Sequence, residues 1–253
     1  MPDTKTAGAG SPSIPDTMQA LRALAHVMPA EAPEIASLAQ RIDALAKEDP
    51  RAAGTYRAEL LHLTGDHEGA LACMHAQEDS DPATELAILV DAGKCDDAQR
   101  LFKQHGHPDD ESFPHLLKYG YGSGAFRQMA NFARDAQHIQ LANQDSVDFD
   151  QIFNIDSLLS RLRIEDKDTA GVLAVAGQIM LEHRLRFLGE QPSIDVFDIP
   201  DVLHALHLTY HLPTTPEHAA AISVQFAERL VEQDVAVPHG LHVNFRGTDY
   251  AGR

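Results

Sequence analysis

Apolar residues recur along this chain at helical spacing, in short blocks separated by glycine, proline and aspartate. "TYRAELLHLT" and "ATELAILVDA" hold apolar residues three and four apart, the interval that gathers side chains on one helical face. "SFPHLLKY" is a shorter block of the same kind. After Asn143 the rhythm changes, and the polar, aromatic "NQDSVDFD" marks a boundary. "QIFNIDSLLSRLRI" reads as an amphipathic helix. "DTAGVLAVAGQIMLEHRLRFL" is apolar over much of a helical circumference, which predicts a long central helix. "QPSIDVFDIPD" predicts a Pro-bounded loop or short extended piece. "DVLHALHLTYHL" predicts a helix begun by Asp201 after Pro200. "TPEHAAAISVQFAERLVEQD" predicts another, with Thr215 as N-cap, Pro216 at the first position and Glu217 in the first turn. "GLHVNFRGTDY" alternates apolar and polar residues and carries the one strand signal; a lone strand needs a pairing partner or lies as extended coil. The pattern as a whole predicts an all-α fold with one possible short strand.

The blocks also repeat. Gly65 is followed by Ala70 at plus five and Met74 at plus nine; Gly93 by Ala98 and Phe102, and Gly120 by Ala125 and Met129, at the same offsets. The glycines are 28 and 27 residues apart. A glycine just past a helix adopts the left-handed conformation that ends it. Asp66 and Asp96 then suit the positive end of the next helix. The alanine lets a paired helix approach, and the larger apolar residue lies one turn further along the same face. Each unit is thus predicted to be two antiparallel helices around a glycine turn.

This pattern resembles the tetratricopeptide repeat family. "LLHLTGDHEGALACMHAQEDSDP" parallels that family's Leu-Gly-Asp, Glu-Ala-Leu and terminal Asp-Pro elements, with Ala58, Leu61, Gly65, Ala70, Met74 and Pro82 at its structural positions. The resemblance spans roughly residues 33–136, with "ALAKEDP" ending a decayed earlier unit. The units are about six residues shorter than the family's repeat of about 34, and the chain has no Trp. The resemblance implies a solenoid of helical hairpins that acts as a chaperone or adaptor. Three parts follow: an arm at 1–16 that is too polar to fold alone, helical repeats at 17–142, and a helical C-terminal domain at 143–253.

Charge narrows the partners. Lys plus Arg number 20 against 38 for Asp plus Glu, a net charge of -18. That field repels nucleic acid and anionic membrane and favours a basic protein or peptide; acidity for solubility alone is the plainer reading. The two cysteines, Cys73 and Cys95, form no CxxC, which fits a reducing compartment such as the cytoplasm. "MPDTKTAGAGSPSIPD" lacks the apolar core of a secretory signal, although a non-cleaved export signal has similar composition. No run of 18 apolar residues is present to span a membrane.

Candidate chemistry is sparse. His204, His207 and His211, three and then four apart, would share one face of the predicted helix, and imidazoles suit zinc, copper or nickel. Leucines surround them and HExxH is absent, so plain amphipathic-helix histidines are the competing reading. "GYGSG" at 120–124 lacks the GK[ST] of a phosphate loop and reads as a turn. "HAQEDSDP" and "DAGKCDDAQ" are solvated helix ends or an anionic rim for a basic peptide. His242, Arg246 and Asp249 form a polar trio on the strand signal.

Two functions are weighed. The first is a non-enzymatic scaffold holding a peptide or helix in the repeat groove, through Tyr56, Glu59 and His62 of one unit and Glu85 and Leu89 of the next, with no cofactor. The second is an enzyme in the C-terminal half that uses the histidine segment with Glu182, His183 or His218.

Overall fold

The computed structural model describes residues 13–24, 26–77, 81–105, 113–139, 147–187 and 192–248. Eleven helices and three strands form among them. α1 (Ile14–Arg22) and α2 (Pro33–Leu45) precede three hairpins: α3 (Pro50–Leu63) with α4 (His67–His75), α5 (Pro82–Asp91) with α6 (Cys95–His105), and α7 (Phe113–Ser123) with α8 (Phe126–Ile139). α9 (Phe149–Leu162) and α10 (Asp166–Glu182) follow. Aspartates open α3, α4, α5 and α9: Asp49, Asp66, Asp81 and Asp148 each accept a backbone N–H of the first turn. No described helix is long and apolar enough to cross a membrane. Residues 1–12 of the expected arm lie outside the described residues, and Ser13 with Asp16 forms a capping box that starts α1.

The hairpin turns follow the glycine pattern twice of three times. Gly65 and Gly93 take φ of +87° and +68° at the turns of the first two hairpins. Gly120 does not. It lies within α7, where an added Cβ would sit 2.6 Å from the Met129 side chain, so its smallness serves helix crossing. The third turn is Gly124, at φ +74°. Ala70, Ala98 and Ala125 are all buried as the spacing predicts. α10 lies against α5, α6, α7 and α8, which explains its apolar circumference. Gly177 of α10 meets the α5–α6 turn so closely that a Cβ would fall 2.9 Å from the Gly93 Cα.

The all-α expectation is overturned by a three-stranded mixed sheet. β1 (Ser193–Ile199) pairs antiparallel with β2 (Leu203–Leu212), and β2 pairs in parallel with β3 (Leu241–Gly247), in the order β1-β2-β3. α11 (Pro216–Glu232), capped by Thr215 as expected, is the crossover between the parallel strands. The segment expected to be a histidine helix is β2. Its Leu206, Leu208, Tyr210 and Leu212 are buried and the residues between are half-buried, a period of two rather than 3.6. Tyr210 stacks between Phe187 and Phe245. One apolar core runs from Ala58 of α3 to Phe245 of β3, and a smaller one joins α1, α2 and α3.

Candidate functional site

The first helix of each hairpin contributes to a cleft of about 340 Å³. Glu59 and His62 come from α3, Thr84 and Ala87 from α5, and Lys118 and Tyr119 from α7. Arg22, the last residue of α1, and Arg186, which follows α10, close it. Backbone pairing holds these two arginines together: His26 and Leu185 form an isolated bridge, and the Val27 N–H donates to the Arg184 carbonyl at 2.8 Å.

The floor is a buried charge network. Asp91, 2% exposed, ends the apolar run of α5. Its Oδ2 accepts from His62 Nε2 at 3.0 Å and from Arg186 Nε at 3.2 Å. Arg186, 9% exposed, also donates from Nη1 to the Arg22 and Leu24 carbonyls at 2.9 and 3.3 Å. One ion pair thereby ties α1, α3, α5 and the segment after α10. His62 Nδ1 lies 3.3 Å from His67 Nδ1, within hydrogen-bond distance. His67 Nε2 is buried without a partner among the described residues. Burial, followed by the neighbouring His62, lowers the His67 pKa from 6.5 to about 4.

Above the floor the cleft is less satisfied. Arg22 Nη2 contacts both Glu59 oxygens at 2.5 and 2.6 Å. Asp81 is held as the N-cap of α5. Lys118 pairs with no carboxylate among the described residues, and its Nζ lies 4.7 Å from the centre of the Tyr119 ring. Burial lowers the pKa of Lys118, and Arg22 and then Arg186 add to the effect against an opposing influence of Asp91. Burial also raises the pKa of Tyr119.

The sequence-predicted groove residues separate. Glu59 and His62 line this cleft. Glu85 and Leu89 line a different groove, beside α4 and α6, where Glu85 meets His75 at 3.0 Å and Leu89 is 6% exposed. Tyr56 packs against the smaller core. Asp91, expected at a solvated helix end or on an acidic rim, does end α5 but is buried in the floor.

The histidines of β2 do not converge. His204 Nδ1 meets Asp198 at 2.7 Å, and Asp198 also pairs with Arg161. The His207 ring lies between Phe197 and His242, with centroids 4.9 and 4.5 Å away. His211 Nε2 meets Ser193 Oγ at 3.2 Å. Alternation along the strand directs His204 and His207 to opposite faces. Among the described residues no three His, Cys, Asp or Glu side chains gather in a metal-binding set. Arg246 lies opposite His211 in register and Asp249 is outside the described residues. His183 and His218 do meet, at 2.9 Å, in a chain that ends on Gln225 and Thr214, and Glu182 pairs with Arg229. Ser123 of "GYGSG" is buried and donates to the Tyr119 carbonyl at 2.8 Å.

Arg22, Lys118, Tyr119 and Arg186 are not singled out by the sequence, and Asp91 stands there only as the first residue of the acidic "DAGKCDDAQ". Asp91 left a trace: it closes "LAILVD", a lone charge at the end of an apolar run that calls for a buried partner. Comparison with family models, with curated proteins and with solved structures gives no match.

Proposed function

We propose that the chain is a non-enzymatic, tetratricopeptide-like binding scaffold, a chaperone or adaptor whose inner face seats a peptide or helix of a partner protein. The observation that carries this reading is the cleft built from α3, α5 and α7, the first helices of three consecutive hairpins, with Arg22 and Arg186 closing it. Stacked hairpins present such a continuous inner surface. The floor supports binding rather than turnover, because Asp91, His62 and Arg186 saturate one another. The net charge of -18 favours a basic partner over nucleic acid or an anionic membrane, and steers its encounter from outside the cleft. The cytoplasm suits the free thiols of Cys73 and Cys95.

A photo-crosslinking residue placed at Ala87 on the inner face, and separately at Gln104 on the opposite groove, tests this in the native cell. Crosslinks to a defined partner peptide from Ala87 alone are expected, with association slowing as salt rises. Equal crosslinking from both positions, or from Gln104 alone, overturns the inner-face reading.

A further inference from the structure

Three pairs of histidine rings meet among the described residues. His62 and His67 are buried behind the cleft, and His62 is committed to Asp91. His207 and His242 meet as tilted rings on the sheet. His183 and His218 differ from both, because their ring nitrogens face each other where solvent reaches them: His183 is half-buried and His218 is exposed. His183 is the C-cap of α10, and His218 lies in the first turn of α11. His183 Nδ1 is 2.9 Å from His218 Nε2, with the rings edge-on at 66°. Each outer nitrogen meets an oxygen. His183 Nε2 lies 2.6 Å from Gln225 Oε1, and His218 Nδ1 lies 2.9 Å from Thr214 Oγ1. Both oxygens can accept an N–H. An imidazole that gives its outer N–H to such an acceptor turns a bare lone pair inward, the form in which histidine ligates a metal.

We propose that His183 and His218 form a two-histidine chelate for a divalent cation that takes ligands at right angles, copper(II) or nickel(II). At metal–nitrogen distances of about 2.0–2.1 Å, two ligands at right angles stand about 2.9 Å apart, whereas tetrahedral ligands stand about 3.4 Å apart. The observed 2.9 Å matches the first arrangement, so zinc is the poorer fit. The ion takes the place of the hydrogen bond between the two inner nitrogens, and water fills its remaining positions. Gln225 and Thr214 hold the rings from their far sides. Glu182, next to His183, is engaged with Arg229 and stays out of the site. Two ligands set this site apart from the three-residue sets that are absent among the described residues. The net charge of -18 raises the local concentration of cations. A bound ion ties the end of α10 to the start of the crossover helix of the sheet. This inference goes beyond the scaffold reading and does not depend on it, since the ion needs no partner protein.

The probe is copper(II) chloride, added below one equivalent to the full chain at neutral pH while the imidazole signals are followed by NMR. Paramagnetic broadening is expected at His183 and His218 ahead of every other histidine. His183→Asn and His218→Asn should each abolish that first binding event. Gln225→Leu keeps both ligands and should weaken it about tenfold, the loss typical when the group that orients a ligating histidine is removed. Nickel should bind the wild type more tightly than zinc. Because the wild-type broadening decides the matter alone, a poorly folding variant does not blunt the test. Broadening that begins at other histidines, or copper affinity unchanged in either histidine variant, overturns the proposal. Unchanged affinity in Gln225→Leu overturns the role given to Gln225, and zinc binding tighter than nickel overturns the right-angled geometry.

Discussion

Two groups of histidines sit in very different company. His62 and His67 lie behind the inner cleft, 6% exposed each, in a network with Asp91 and Arg186. His204, His207 and His211 lie along β2, each half-buried and each with its own neighbour. In the first group the polar atoms of His62, Asp91 and Arg186 depend on one another, because water cannot replace a lost partner. In the second, solvent can. The same residue type therefore contributes to a coupled unit in one place and to independent surface contacts in the other.

The largest effect should come from breaking the buried network. Asp91→Ala strands the Arg186 guanidinium at 9% exposure, and loss of one partner from a buried pair costs about 3–5 kcal/mol. Asp198→Ala removes the partner of His204 and Arg161 at the surface of the sheet, where such pairs contribute about 1 kcal/mol or less. Denaturant unfolding of the two variants measures the contrast. The double variant Asp91→Leu with Arg186→Met should lose far less than the two single losses summed, because it leaves no orphaned charge. Similar losses for Asp91→Ala and Asp198→Ala would erase the distinction between the groups.

The pH dependence sharpens it next. His67 has a folded pKa of about 4 against 6.5 unfolded. Below pH 6.5 the unfolded chain takes up a proton that the folded chain refuses. The stability that neutral His67 contributes is therefore complete above pH 6.5 and is lost as pH falls towards about 4, by up to about 3 kcal/mol. Unfolding free energies of the wild type and of His67→Gln, followed through that window, should converge as pH falls. A wild-type profile that stays flat from pH 6.5 to 4.5 would show that His67 charges freely in the folded state and that the network is open to water.

How much of this was legible in the sequence depended on the range of the signal. The hairpins were legible because a glycine turn and an aspartate cap act within a few residues, as at Gly65–Asp66 and Gly93. Gly120 misled because a glycine needed for close approach to Met129 looks the same as one needed for a turn. The sheet was misread for a related reason. Histidines spaced three and four apart imply a helical face, while Leu206, Leu208, Tyr210 and Leu212 alternate on a strand, and both patterns fit the same ten residues. β1 and β3 decide between them from a distance. At the cleft, Glu59 and His62 were anticipated from their place in a first helix. Lys118 and Arg186 were not, since only the packing of α7 and of the segment after α10 brings them to α3.

The smallest effects should come from the sheet histidines, and their smallness is the sharpest test of independence. His204, His207 and His211 touch Asp198, the Phe197 and His242 rings, and Ser193 respectively, and no two of them share a partner. Replacing each by Ala should cost about 0.5–1 kcal/mol or less, as for surface groups that solvent can satisfy. His207→Ala should also relieve His242, whose pKa is lowered by burial and then by His207. The losses of the triple variant should equal the sum of the singles within about 0.5 kcal/mol, whereas Asp91 and Arg186 should depart from their sum by several times that. Zinc titrated into the wild type and the triple variant should raise the melting temperature equally little. A stoichiometric zinc stabilisation that vanishes in the triple variant would show that the three histidines converge on one ion, and would restore the metal reading that their positions on β2 argue against.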